Sequence, residues 1–189
     1  MRVTVPDTAS DVPLALIGPY YAPEIGRAAM EFSCITYANS KLSLREFEAA
    51  RMATAYINGC QLCQNWRSST DIASYFGGTD KESSESVASG SEPPDEAFYL
   101  ATKDWRSSDL FSSRERLAME LAERMGLDPK GLAVDEDFWS RAKADLSDRD
   151  LVDLSYCLAA WIGLGRMTHV LGLDALCGIP ARQMESANA

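Results

Sequence analysis

Residues 43–63 read SLREFEAARMATAYINGCQLC, and within that one stretch lie a helix start, a helix end and a second start. Ser43-Leu44-Arg45-Glu46 has the Ser-x-x-Glu spacing in which hydroxyl and carboxylate each satisfy the other's backbone donor at a helix N-terminus. The helix it opens is expected to run to about residue 57. Asn58-Gly59 supplies the two residue types best able to adopt a left-handed C-terminal cap, so the chain should break there and restart at Cys60. A Cys-x-x-Cys pair, Cys60 and Cys63, then sits at the new start.

Helical periodicity continues on both sides. Upstream, Ile25, Ala28, Ala29, Phe32 and Ile35 recur at spacings of three and four, an apolar stripe on a helix over about 24–38, with Pro19 and Pro23 fencing its start. Downstream, residues 77–95 are rich in Ser, Gly, Glu and Pro, with Val87 the one sizeable apolar side chain. Such a segment cannot recover its ordering entropy by burial and is expected to be a flexible insertion. A helix follows from about residue 96. Ser112-Ser113-Arg114-Glu115 then repeats the capping signature ahead of Leu117, Leu121 and Met125. A short helix about Phe138 and Trp139 precedes a long one opened by Ser147-Asp148-Arg149-Asp150, through Leu151, Leu154, Leu158 and Trp161. No stretch alternates at period two and no fixed-period repeat appears. The fold class is therefore all-α, a single domain over 1–189 of seven or eight helices.

The chain has 189 residues with 18 Lys+Arg against 28 Asp+Glu, a net charge of −10. Nucleic-acid binding draws its affinity from clustered cations, so an acidic chain without a basic run makes that partner a poor fit. At this size folding removes roughly 70% of the extended chain's surface from water, enough for a core without covalent staples. The start lacks the apolar run of a secretory signal, and the apolar stretch from Leu154 to Gly165 is too short to span a bilayer. No membrane association is expected. Five cysteines, Cys34, Cys60, Cys63, Cys157 and Cys177, are an odd number that suits a reducing cytoplasm better than a disulfide framework.

Two cysteines three apart at a helix start lie close enough for their sulfurs to bridge with little backbone adjustment. Unpaired amides of the first turn and the partner thiol lower the cysteine pKa, which favours a nucleophilic thiolate. A sulfenic acid formed on one sulfur would be captured by the other. The same spacing also fits incidental buried thiols, because free cysteine is a common small hydrophobe. Zinc needs four ligands; the other cysteines are isolated and His169 is the only histidine, so neither a metal nor any other cofactor is expected. A thioredoxin-like domain needs strands that this sequence does not offer. Trp66 and Tyr56 flank the pair, either as walls of an apolar peroxide pocket or as core packing. Cys34, Cys157 and Cys177 have no partner spacing and read as buried thiols.

Glu48 twelve positions before Cys60, with Ile57-Asn58-Gly59-Cys60-x-x-Cys63, resembles the AhpD-like branch of the carboxymuconolactone decarboxylase superfamily, an all-helical group. The likeness runs from about Pro19 to Leu173, through Phe111 to Arg116, Asp137-Phe138-Trp139 and Arg166 to Leu173. It implies a thiol-dependent peroxidase or disulfide reductase in which Glu48, Cys60 as resolving cysteine and Cys63 as peroxide-reacting cysteine form a relay. It also implies a peroxide or small organic substrate, an electron-donor protein and a homo-oligomer, trimer or hexamer. The family's histidine four residues after the second cysteine is Arg67 here. Arginine stays protonated and cannot shuttle a proton, but it can hold a thiolate and pair with Glu48. His169 is read as a structural residue or as a replacement imidazole from across the bundle. Two rival functions stay open, a decarboxylase or lactone-processing relative that dispenses with the cysteine pair, and a noncatalytic helical oligomer whose cysteines sense redox state or only pack.

Overall fold

The computed structural model describes residues 2–4, 17–18, 20–75 and 92–174, the side chains of 72–75 excepted. From Pro23 onward the described residues form nine α-helices and one 3-10 helix, and no strand. In chain order these are α1 (Pro23–Asn39), α2 (Leu44–Asn58), α3 (Gln61–Asn65), α4 (Ser68–Tyr75) and α5 (Glu96–Ala101). The 3-10 helix Thr102–Ser107 leads to α6 (Ser113–Leu127), α7 (Pro129–Ala133), α8 (Glu136–Asp145) and α9 (Asp148–Val170). The all-α expectation holds, with nine helices rather than seven or eight, because the breaks at Gly59 and Asp128 each release a separate five-residue helix. Most of the expected flexible insertion, residues 77–91 of 77–95, lies outside the described residues, as does Cys177. Asp95, at its far edge, caps α5 by accepting the Phe98 amide at 2.9 Å.

Three long helices make the core. α2 and α6 form the broadest packed pair and α9 lies across α2. Both α2 and α6 open with a complete capping box, Ser43 with Glu46 and Ser112 with Glu115. Each capping glutamate is also held by an arginine of the other helix: Arg114 reaches Glu46 and Arg45 reaches Glu115, the latter at 2.6 Å. The two helix starts are thus tied to each other at the edge of the core. Behind the tie, Leu44, Phe47 and Met52 of α2 meet Leu117, Met119 and Leu121 of α6 and Leu154 and Leu158 of α9 in one cluster. Burying each such side chain is worth about 1.5–3 kcal/mol.

The apolar stripe of α1 stays open to solvent, Ile25 being 74% exposed and Phe32 and Ile35 less so. The helix leans on α9 with its other face, where Thr36 is buried and Tyr37 packs edge-on against Phe47, ring centroids 5.3 Å apart. Periodicity identified a stripe correctly, but it could not tell which side of an outlying helix meets the bundle.

Candidate active site around Cys60 and Cys63

The break between α2 and α3 is built by Gly59 at φ 69°, in the left-handed region that glycine occupies without penalty. Its N–H reaches back to the Ala55 and Tyr56 carbonyls, ending α2. Cys60 then takes the cap position of α3, its Sγ accepting the Cys63 amide at 3.2 Å. The two sulfurs are disulfide-bonded, with Cα atoms 5.3 Å apart. Cys60 is wholly buried, whereas Cys63 is half-buried.

Glu48 lies beneath this turn and is 0% exposed. A buried carboxylate is tolerated only when paired and hydrogen-bonded. Arg51, one turn along α2, meets it with two parallel bonds of 2.9 and 2.8 Å. Ser68, from the start of α4, donates to the same carboxylate. The buried Tyr99 hydroxyl adjoins the same carboxylate and helps hold it charged. Burial alone would raise the Glu48 pKa; the Arg51 charge and the bonds from Arg51 and Ser68 outweigh that and hold it below the usual carboxylate range. Arg51 also donates to the Cys63 carbonyl at 2.6 Å and the Trp66 carbonyl at 2.7 Å. One guanidinium therefore fastens the cysteine turn to the buried carboxylate.

Arg67 does not pair with Glu48. It is buried but turned the other way, gripping Glu96 at the start of α5 with bonds of 3.0 and 2.9 Å and lying 3.9 Å over the Tyr99 ring. The reason is local: Arg51 already occupies the inner face of α2 within one turn of Glu48, while Arg67 follows α3 on the side where α5 begins. Arg51, Ser68 and Tyr99 were not singled out from sequence, although Glu48-x-x-Arg51 is the spacing at which a helix pairs opposite charges. Ser68 and Tyr99 arrive from elements whose placement no local pattern encodes.

The remaining candidates separate cleanly. Trp66 lines a groove beside Cys63, and Tyr56 packs against the core. Cys157 is buried, and desolvation, with Asp153 nearby, pushes its thiol up to about 12. Cys34, half-buried on α1, is raised by desolvation as well and lines the same groove. His169 binds Asp174 at 2.9 Å through Nδ1. The groove, about 990 Å³, runs between α1 and the α2–α3–α9 surface. Its walls are mostly apolar, including Leu62, Trp66, Trp161 and Leu164, with Cys63 and Arg51 among the lining residues. A half-buried sulfur facing an apolar groove and anchored from beneath by an arginine is an arrangement suited to attack on a small, weakly polar electrophile.

Among the described residues no helix is long and apolar enough to cross a membrane. No protein-family model matches the chain. Over 86 residues it is 34% identical to the uncharacterized Escherichia coli protein YnjA, a match covering 44% of this chain and 46% of that one. The chain thus spans about half the length of the curated relative it matches. A solved structure from Agrobacterium tumefaciens, of a protein of unknown function proposed there as an antioxidant defence protein AhpD, aligns over 90% of this chain and 96% of its own with a TM-score of 0.58 and 18% identity. The chain folds as an AhpD-like helical bundle.

Proposed function

We propose that the chain is a thiol-dependent oxidoreductase of the AhpD-like kind that reduces a peroxide through Cys63 and closes a disulfide with Cys60. The observation that carries this reading is the unequal setting of the two bonded sulfurs, Cys63 half-buried on an apolar groove and Cys60 sealed behind it. The Cys63 thiolate attacks the distal oxygen of the peroxide; the O–O bond breaks, the alkoxide takes a proton and leaves as an alcohol, and Cys63 becomes a sulfenic acid. The Cys60 thiol displaces hydroxide from that sulfur, water leaves, and the disulfide forms. A dithiol protein then supplies two electrons and two protons to reopen it.

In this reading Glu48 is the counter-ion of Arg51 rather than a base, since its lone pairs are taken by Arg51 and Ser68. Arg51 holds the Cys63 carbonyl and sets the sulfur's position. The likeness to the Agrobacterium structure and its proposed antioxidant role support the assignment. A reducing cytoplasm would keep the electron donor supplied, and the outward stripe of α1 is the surface we assign to neighbouring copies in a trimer or hexamer. The test is Cys63→Ser, measured by peroxide consumption with a dithiol reductant such as dithiothreitol. Loss of essentially all turnover is expected; consumption equal to the parent's overturns the reading in favour of a noncatalytic bundle or of a decarboxylase-like activity that needs no thiol.

A further inference from the structure

Cys60 is wholly buried, so in the proposed cycle its sulfur cannot exchange a proton directly with water. The element packed behind its turn is α9. Asn58 donates to the Trp161 carbonyl at 2.9 Å and accepts from Arg166 Nε at 3.1 Å. Gly165 lets α9 come so close to this turn that a Cβ there would lie 2.6 Å from Asn58 Nδ2, with Cys63 Sγ in ordinary contact at 3.9 Å. One turn further along the same face, about 6 Å by the helical rise, stands His169. Its Nε2 would be 3.0 Å from a Cβ placed on Gly59, the residue immediately before Cys60.

The imidazole is oriented rather than free. Its Nδ1 meets Asp174 Oδ2 at 2.9 Å, and the same oxygen accepts the Gln61 amide at 3.1 Å. A carboxylate on Nδ1 keeps the proton on that nitrogen, which directs Nε2 toward the cysteine turn. Asp174 is buried while the His169 side chain is 47% exposed, so the ring connects the sealed turn with solvent.

Resting on the dithiol reading above, we propose that His169, held by Asp174, is a positioning residue for the redox step: its charge stabilises the thiolate of the opened pair, and its exposed ring carries the proton that buried Cys60 exchanges. When a dithiol donor opens the disulfide, it loses two electrons and releases two protons to water; Cys60 and Cys63 gain the electrons, Cys60 takes a proton from the imidazole, the ring regains one from water, and Cys63 is left as the thiolate. Among the described residues, the other charges about this turn are Asp174, Arg166 on the same helix, Arg2, whose amide binds the Leu171 carbonyl at 3.0 Å, and the Glu48–Arg51 pair beneath it.

His169 is the only histidine in the chain, so one imidazole resonance in untagged protein reports on it. Its NMR titration is followed with the cysteine pair oxidised and then reduced. The His169 pKa is expected to rise by about half a unit or more on reduction, as a thiolate within several ångströms favours the charged ring. Equal values in the two states overturn the proposal. Thiolate absorbance near 240 nm gives a second reading. His169→Gln, which removes the ring's charge, should raise the thiol pKa by about half a unit or more. An unchanged thiol pKa would mark a merely structural role and sink the idea. Failure of the underlying reading looks different: the parent would show no reversible Cys60–Cys63 couple at any pH.

Discussion

The α2–α3 and α6–α7 segments share one plan and differ in what their inner faces carry. Each is a 15-residue helix opened by a Ser-x-Arg-Glu capping box and followed by a 5-residue helix. Five residues after the capping serine, α2 has Glu48 and α6 has Leu117, both buried. Eight residues after it, α2 has Arg51, buried, and α6 has Glu120, which pairs with Arg141 near the surface at 3.0 Å. At the break, Gly59 sits where α6–α7 has Asp128, and the second helix is capped by the Cys60 sulfur in one case and the Asp128 carboxylate in the other. The α6 version is what packing alone favours. A buried ion pair seldom adds stability over well-packed apolar side chains, so its presence in α2 marks a place where position matters more than stability.

The largest expected effect breaks that contrast at its centre. Arg51→Leu strands a buried carboxylate and should cost about 3–5 kcal/mol, read as a fall in the urea midpoint. The double variant Glu48→Leu with Arg51→Met, which replaces the ion pair with apolar side chains, should recover most of that loss yet remain inactive toward peroxide. The same pair of proteins separates in acid. Because the folded Glu48 pKa lies below its unfolded value of about 4.3, its contribution is fully present above that value and is lost as pH falls through the folded pKa. The parent should therefore lose stability more steeply than the double variant on acidification below about pH 4. A parallel loss in the two would show that the ion pair is not the acid-sensitive element.

Smaller changes sharpen the comparison at the breaks and the starts. Gly59→Ala imposes a side chain on left-handed backbone and crowds the His169 ring, at about 1–2 kcal/mol. Asp128→Ala removes only an N-cap and should cost about 1 kcal/mol. If thermal unfolding ranks these two the other way, the Gly59 turn is more pliable than its geometry indicates. Ser43→Ala and Ser112→Ala should be nearly equal, each about 1 kcal/mol, because both serines sit in boxes backed by an arginine from the opposite helix. Unequal losses would show that the reciprocal tie is not symmetrical.

Local chemistry was legible in advance. Both capping boxes, the glycine break and the cysteine pair follow from residue types within a few positions of each other, where helix rules operate; Glu48 was singled out by the family resemblance, twelve positions before Cys60. Partner choice was not. Arg67 was assigned to Glu48 and instead holds Glu96, a residue 29 positions away. The α1 stripe was legible as an apolar face and is exposed in the fold, because an apolar spacing defines a face without naming what covers it. Ser68 and Tyr99 reach Glu48 only once α4 and α5 have folded back over α2.

The sulfur of Cys60 is both half of the disulfide and the cap that receives the Cys63 amide. Oxidation state is therefore written into a backbone proton. Reduction frees that sulfur to become thiol or thiolate, and the nitrogen–proton resonance of Cys63 must move with it. In the proposed dithiol cycle, the first turn of α3 would report the state of the pair from within the intact chain.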